Sequence, residues 1–157
     1  MQYRNLWCGR WRAGSDLKAD PVYLRRALEG DLAAVAQIQA ASPEAAQWDV
    51  RHYLAHDLVV AVWGARIAGF AVARRVAEGE SELLTLAVDP EFRRRGIARR
   101  LIGTLTSSHT GTLWLEVRES NDAARKLYKT LNFHEMGRRL GYYRDSGESA
   151  IVMKFHS

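Results

Sequence analysis

The spacing of apolar and polar positions along the chain predicts a sheet of several strands. Apolar residues recur at every second position in short segments, which is the period of a strand with one buried face. Residues 82–88 are apolar on both faces, so this strand is expected near the centre of the sheet. The predicted strands span residues 22–27, 58–63, 67–76, 82–88, 112–117, 133–138 and 150–155.

Four segments between these strands have apolar residues three or four positions apart, the spacing of an amphipathic helix. Asp31 suits the N-cap of the first helix, and Pro43 suits the start of a second that reaches about Leu54. The third carries Ile97 in its apolar stripe, and Asn132 can take the left-handed conformation that ends the fourth. The alternation of strands and helices predicts an α/β domain.

Length and composition place the chain among ordinary globular domains. Of its 157 residues, 47% are hydrophobic and 26% are charged, and no apolar run reaches the roughly 18 residues that cross a bilayer. Residues 1–20 show no period and are predicted to extend from a single domain of residues 21–157. Because the chain's start lacks the apolar stretch of a secretory signal, a cytoplasmic location without a membrane partner is expected. Cys8 is the only cysteine, which excludes an intrachain disulfide.

The densest positive charge in this chain of net charge +5 is the run Arg93-Arg94-Arg95-Gly96-Ile97-Ala98. The run joins the predicted central strand to a helix, so unpaired backbone N–H groups and the positive end of a helix dipole would point at one spot. A pyrophosphate would fit there, although a solvated arginine run at a helix start gives the same pattern. Since the other positive residues are dispersed, direct nucleic-acid binding is not expected.

Several motifs, in a fixed order, resemble the GNAT family of acetyl-CoA-dependent N-acetyltransferases. They are Arg93-x-x-Gly96-x-Ala98, Leu115-Glu116-Val117-Arg118 and Asn121-x-x-x-x-x-x-Tyr128. The bacterial ribosomal-protein alanine N-acetyltransferases of the RimI type are similar in these and in Leu131-Asn132-Phe133 and Gly141-Tyr142-Tyr143. The resemblance covers roughly residues 21–155 and implies the GNAT fold, a mixed, mostly antiparallel central sheet of about six to seven strands flanked by four helices.

The resemblance also implies acetyl-CoA as cosubstrate. A strand would run beside its pantetheine arm, and the basic turn would wrap its pyrophosphate, where Gly96 permits close backbone approach. Asn121 would hydrogen-bond the cofactor, or it is a plain helix cap. His52 and His56 have a spacing that can hold zinc but lack a third ligand, so no metal site is predicted. The implied cofactor-binding residues are Leu86, Ala87, Val88, Arg93, Arg94, Arg95, Gly96, Ile97, Ala98, Arg99, Asn121 and Tyr128.

Two residues are candidates for proton transfer. Acetyl transfer needs a neutral amine, and a free α-amino group titrates at roughly pH 7.7 to 8.0, so a base must remove a proton. Glu116 is the candidate base, directly or through a water, as the family resemblance implies; the alternative is an exposed strand glutamate paired with Arg118. Tyr128 matches the family position that protonates the departing CoA thiolate, and its ring would also fill a helix stripe.

Two segments resemble those that hold the acceptor in the family: the loop with Pro43 and Trp48, and the pair Tyr142-Tyr143. The loop departs from the family pattern, which has an aromatic before its proline and a Pro-Trp pair after it, and the tyrosines would also suit a hairpin packed on the domain. The leading hypothesis is acetylation of the N-terminal α-amino group of a protein such as a ribosomal protein. The alternatives are a small-molecule amine or lysine acceptor, or a non-catalytic CoA-binding module.

Overall fold

The computed structural model describes residues 22–156, which form one seven-stranded sheet. The sheet order is β1-β2-β3-β4-β5-β7-β6, and each neighbouring pair is antiparallel except β4 and β5, which are parallel. The prediction of a mixed, mostly antiparallel sheet is confirmed, whereas the predicted extension of residues 1–20 lies outside the described residues. The strands are β1 Val22–Arg26, β2 Asp57–Trp63, β3 Arg66–Ala77, β4 Glu80–Val88, β5 Thr112–Arg118, β6 His134–Tyr143 and β7 Glu148–His156.

The described residues include three α-helices, one longer 3₁₀ helix, and two short 3₁₀ turns at Glu29–Asp31 and Pro90–Phe92. The α-helices are α1 Leu32–Ala40, α2 Ile97–Ser108 and α3 Asp122–Thr130, and the longer 3₁₀ helix is Val50–Ala55. The predicted second helix is therefore wrong in its start and its type. The side-chain amide of Gln47 donates to the carbonyls of Gln39, Ser42 and Ala45, which folds residues 43–49 into a compact loop instead.

The helices cover opposite faces of the sheet with two buried clusters. The clusters take alternate residues of β2 and β3, as a strand's two-residue period requires. One contains Val35 and Ile38 of α1, and the other contains Leu101 of α2 and Tyr128 of α3. Each fully buried leucine such as Leu101 stabilises the fold by about 1.5 to 3 kcal/mol. Within the described residues, no helix is long and apolar enough to cross a bilayer.

Two predictions about helix ends had different outcomes. Asn132 has a φ of 63°, so the predicted left-handed residue after the last helix is confirmed. The carboxylate of Asp31 does not cap α1, because it accepts from the backbone N–H of Leu28 and forms an ion pair with Arg25. The ion pair with Arg25 of β1 therefore engages the carboxylate that was expected to cap α1.

The sheet opens between its two parallel strands. Their ladder runs from Glu80 and Thr112 to Leu83 and Leu115 and then stops, although β4 and β5 both continue. The register between β3 and β4 shifts at the same level, which leaves Leu84 as an extra residue in β4. The facing edges of residues 84–88 and 116–118 therefore diverge and border a cleft.

The last hairpin differs from its prediction because β6 continues beyond residue 138 to Tyr143. Arg139 pairs with Ala150 and Tyr143 with Glu148, so β6 has more residues than β7 between these two pairs. Gly141, with a φ of 60°, accommodates the resulting bulge. Residues 141–143, which were predicted to lie in a loop, thus form the bulged end of β6 at the cleft.

Candidate active site

The turn between β4 and α2 has the geometry of an anion site. Arg94 and Gly96 both have a positive φ, 63° and 75°, and a non-glycine residue in this region is uncommon. Gly96 in the left-handed and Ile97 in the right-handed conformation form a concave arrangement of N–H groups at the start of α2. The first turn of α2 has no acidic residue. The turn can therefore hold a phosphate group against the positive helix end.

The three arginines of this turn have different environments. Arg93 donates to the carbonyl of Val88 at 3.1 Å and to the side chains of Ser42 and Glu44 at 3.0 and 3.1 Å. It therefore links the end of β4 to the loop after α1. The guanidinium of Arg95 lies 4.9 Å from the ring centroid of Trp63 and away from the cleft. Of the three side chains, that of Arg94 is left to face an anion.

Glu116 lies on β5 and is contacted from β6. Its carboxylate pairs with the guanidinium of Arg139, which also lies 4.4 Å from the ring centroid of Tyr142. Interaction with the Glu116 carboxylate, assisted by burial, raises the pKa of Tyr142 to about 12. The side chain of Glu116 is only 18% exposed, so the alternative of an exposed glutamate paired with Arg118 is wrong.

Arg118 forms a second cluster two residues further along β5. Its guanidinium pairs with Asp145 at 2.8 Å and Glu148 at 3.3 Å, and lies 4.0 Å from the ring centroid of Tyr143. Burial raises the pKa of Tyr143, against the opposing charge of Arg118. Arg118 is thus engaged with the hairpin rather than with Glu116, and the two clusters hold the hairpin over the cleft.

Tyr128 belongs to the core and to the cleft at once. The residue is 6% exposed, and its ring centroid lies 5.5 Å from that of Phe133. Burial raises the pKa of its hydroxyl, and nearby Tyr143 raises it further, so the group stays protonated. A buried, protonated phenol at a cleft can act as a proton donor.

The loop between α1 and β2 forms the opposite wall. Gln39 donates from its amide to the carbonyl of Trp48 at 2.7 Å and accepts from the hydroxyl of Tyr53, which fixes the loop. Trp48 remains 48% exposed and Tyr142 40% exposed. Two large, partly exposed aromatic side chains therefore border the cleft.

The cleft has a volume of about 940 Å³ and brings together the predicted site residues with the exception of Arg95. Asn121 borders it and also caps α3, accepting from the N–H of Ala124 at 3.2 Å. Sequence reasoning missed Arg139, because its strand β6 is separated from β5 by β7, and the local pattern does not show which side chains of β6 reach across β7. The predicted residues that border the cleft are Pro43, Trp48, Leu86, Ala87, Val88, Arg93, Arg94, Gly96, Ile97, Ala98, Arg99, Glu116, Asn121, Tyr128, Tyr142 and Tyr143.

Residues 22–156 contain no group of three or more histidine, cysteine, aspartate or glutamate side chains placed to hold a metal. The described residues instead form an α/β domain whose sheet opens between parallel strands beside a helix end that can bind an anion. The chain belongs to the acetyltransferase (GNAT) family, whose model matches residues 23–133.

Several individual proteins are similar to this chain in sequence or in structure. The ribosomal protein bS18-alanine N-acetyltransferase of Salmonella typhimurium is 45% identical over 94 residues, 56% of this chain and 63% of the relative. The N-alpha-acetyltransferase RimI of Mycobacterium tuberculosis is 42% identical over 88 residues, 55% of this chain and 56% of the relative. These matches span less than two thirds of the relatives' length. The crystal structure of the Escherichia coli ribosomal-protein-S18-alanine N-acetyltransferase has a TM-score of 0.74 at 30% identity, covering 86% of this chain and 93% of that one.

Proposed function

We propose that this protein transfers the acetyl group of acetyl-CoA to the N-terminal α-amino group of a protein, such as a ribosomal protein. The observation that carries the proposal is the cleft between the diverging ends of β4 and β5. It has the anion-binding turn at one end and the Glu116 and Tyr128 side chains on its walls. One cleft thus offers a phosphate site and two proton-transfer groups.

The residues of the cleft fit acetyl-CoA. A pyrophosphate would lie against the turn of Arg94 and Gly96, where a Cβ built on Gly96 meets nothing within 4 Å. The free edge of residues 84–88, which is no longer paired with β5, offers backbone groups to the amides of a pantetheine arm. The side-chain nitrogen of Asn121 can donate to the same ligand. Membership of the acetyltransferase family supports this choice of substrate.

The proposed reaction is direct attack of the acceptor amine on the thioester carbonyl. Glu116 accepts a proton from the amine, directly or through a water, so that the nitrogen has a free lone pair. The new C–N bond forms, the C–S bond breaks, and Tyr128 donates its proton to the departing thiolate. The attacking nitrogen loses its second proton, which returns through water to the Tyr128 oxygen, and Glu116 releases the first proton to solvent. The products are an N-acetylated acceptor and CoA, and no covalent enzyme intermediate is needed.

The acceptor follows from the open side of the cleft and from the relatives. Trp48 and Tyr142 are partly exposed aromatic side chains that suit the first residues of an extended peptide. Bacterial relatives at 45% and 43% identity carry the name ribosomal protein bS18-alanine N-acetyltransferase. A protein N-terminus is therefore favoured over a small amine or a lysine side chain.

The test is acetyl transfer to three kinds of acceptor: peptides with a free N-terminus, N-blocked peptides with an internal lysine, and small amines. We expect turnover on the free N-termini. Glu116→Gln should lower kcat by roughly 10²- to 10⁴-fold. Glu119→Gln is the matched control, because Glu119 pairs with Arg138 and does not border the cleft.

Turnover confined to lysine peptides or small amines would exclude the protein N-terminus as acceptor. An unchanged rate in Glu116→Gln would remove Glu116 from proton transfer. Binding of acetyl-CoA without turnover on any amine would favour the non-catalytic CoA-binding module.

A further inference from the structure

The proposed base has a cationic partner that the mechanism above does not use. Arg139 forms an ion pair with Glu116, and its guanidinium lies 4.4 Å from the ring centroid of Tyr142. The side chain of Glu116 is 18% exposed and that of Arg139 is 57% exposed. The carboxylate is thus held in the cleft wall, whereas the guanidinium over the tyrosine ring is more than half exposed to solvent.

The other charged groups around Glu116 have partners of their own. Arg118, the next residue on the same face of β5 as Glu116, is paired with Asp145 and Glu148. On β4, Glu82 is paired with Arg74, and on β7, Lys154 lies 5.4 Å from the ring centroid of Trp114. On the hairpin, Tyr142 and Tyr143 lie within electrostatic range of Glu116. Among the described residues, Arg139 is the cation paired with this carboxylate.

An acceptor amine must reach this same carboxylate. It arrives largely as an ammonium, because α-amino groups titrate at roughly pH 7.7 to 8.0. The ammonium and the guanidinium then compete for Glu116. When the guanidinium yields while remaining stacked on Tyr142, a positive charge stays beside the bound amine and disfavours its protonated form.

We infer that Arg139 is a positioning residue that occupies Glu116 until the acceptor binds and then favours the neutral, reactive form of the bound amine. This inference rests on the proposed function. It predicts that removing the guanidinium raises the affinity for the ammonium form of the acceptor and lowers turnover near neutral pH. Without the guanidinium, Glu116 would hold an ammonium more tightly, but more of the bound amine would be in the form that cannot attack.

The inference is tested with Arg139→Gln and two comparison variants. Arg139→Lys keeps the charge, and Arg138→Gln removes the same charge from the adjacent residue, whose partner Glu119 lies outside the cleft. The probes are a short peptide with a free N-terminal alanine and the same peptide with an acetylated N-terminus. Calorimetric titration without acetyl-CoA measures their affinities, and steady-state assays at saturating peptide measure kcat against pH.

For Arg139→Gln we expect the preference for the free over the N-acetylated peptide to grow roughly three- to tenfold. We also expect the rising limb of kcat to move upward by roughly half a pH unit to one unit, so that turnover falls near neutral pH and recovers at higher pH. Arg139→Lys and Arg138→Gln should behave like the wild type.

An unchanged peptide preference in Arg139→Gln, or equal binding of both peptides by wild type and variant, would overturn the inference, and neither result depends on turnover. A lower kcat at every pH with weaker peptide binding would also overturn it, because that result indicates a structural role alone. Failure of the wild type to acetylate any N-terminus, with the preference still growing, would count against the proposed function and leave the pairing of Arg139 with the amine site supported.

Discussion

Tyr128 is the residue whose environment makes the clearest pH prediction. Burial raises the pKa of its hydroxyl above the ordinary value of 10.0, so the folded protein keeps this proton where an unfolded chain begins to lose it. Up to about pH 10, wild-type turnover should therefore show no decline caused by loss of the Tyr128 proton. The same shift contributes stability below pH 10 that is lost as the pH rises further.

Tyr128→Phe should lower kcat by roughly 10²-fold if the hydroxyl is the proton donor, with little change in thermal midpoint because the ring is retained. Phe133→Leu is the control, since it disturbs the packing of the Tyr128 ring but keeps the hydroxyl. It should lower the thermal midpoint more than the rate. Equal effects of both changes on kcat would indicate that Tyr128 matters only for packing.

At this scale the sequence predicted residue types better than their partners. The resemblance led to Glu116, but its contacts with Arg139 and Tyr142 reach across β7 from β6, which no local pattern reveals. Likewise, three consecutive arginines look equivalent in sequence. The structure separates them because Arg95 lies over Trp63 while Arg93 reaches the loop after α1.

Among the elements, the loop after α1 is held to the turn before α2 by Arg93, through its bonds to Ser42 and Glu44. Arg93→Gln should loosen this loop, raising the KM for the acceptor peptide roughly three- to tenfold while the KM for acetyl-CoA stays within about twofold, because the lost contacts are on the acceptor side. Arg95→Gln removes the same charge from the same turn and should change neither KM. A larger rise in the KM for acetyl-CoA would assign the Arg93 side chain to the cofactor instead.

The turn before α2 depends on Gly96 for its backbone conformation. Gly96→Ala should cost about 1 to 2 kcal/mol of stability and raise the KM for acetyl-CoA roughly tenfold, because a left-handed residue acquires a Cβ at the proposed phosphate site. Gly64→Ala is the matched control, since Gly64 has a φ of 60° at the β2–β3 turn outside the cleft. Urea unfolding and steady-state kinetics give the two quantities. Equal KM values in both variants would contradict the role of the turn.

Elements with strong periodicity were predicted well, and the loop shaped by side-chain bonds to the backbone was not. The apolar stripe of α2 and the alternation of β5 determine where these elements lie, since burial of one face dominates their energy. In residues 43–49 the Gln47 side chain binds the carbonyls of Gln39, Ser42 and Ala45, of which those of Ser42 and Ala45 would have served a helix starting at Pro43. Such local bonds from a side chain to the backbone compete with a helix and leave no trace in the hydrophobic period.

For the whole molecule, the opening between β4 and β5 is a gap in an otherwise continuous sheet, and a ligand that bridges it should stabilise the entire fold. At a concentration of 100 times its Kd, acetyl-CoA should add about 2.7 kcal/mol, which corresponds to a rise of roughly 5 to 10 °C in Tm for a chain of this size. Thermal unfolding followed by circular dichroism measures this shift.

Two comparisons assign that shift to the cleft. Gly96→Ala at the same ligand concentration should lose about 1.4 kcal/mol of the gain if its affinity is tenfold lower. Pantetheine, which lacks the pyrophosphate, should raise the Tm of the wild type less than acetyl-CoA at equal concentration, because it cannot reach the N–H groups at the start of α2. Equal shifts in wild type and Gly96→Ala, or with and without the pyrophosphate, would mean that the ligand does not use this turn, and its binding would then have to be sought along residues 84–88 alone.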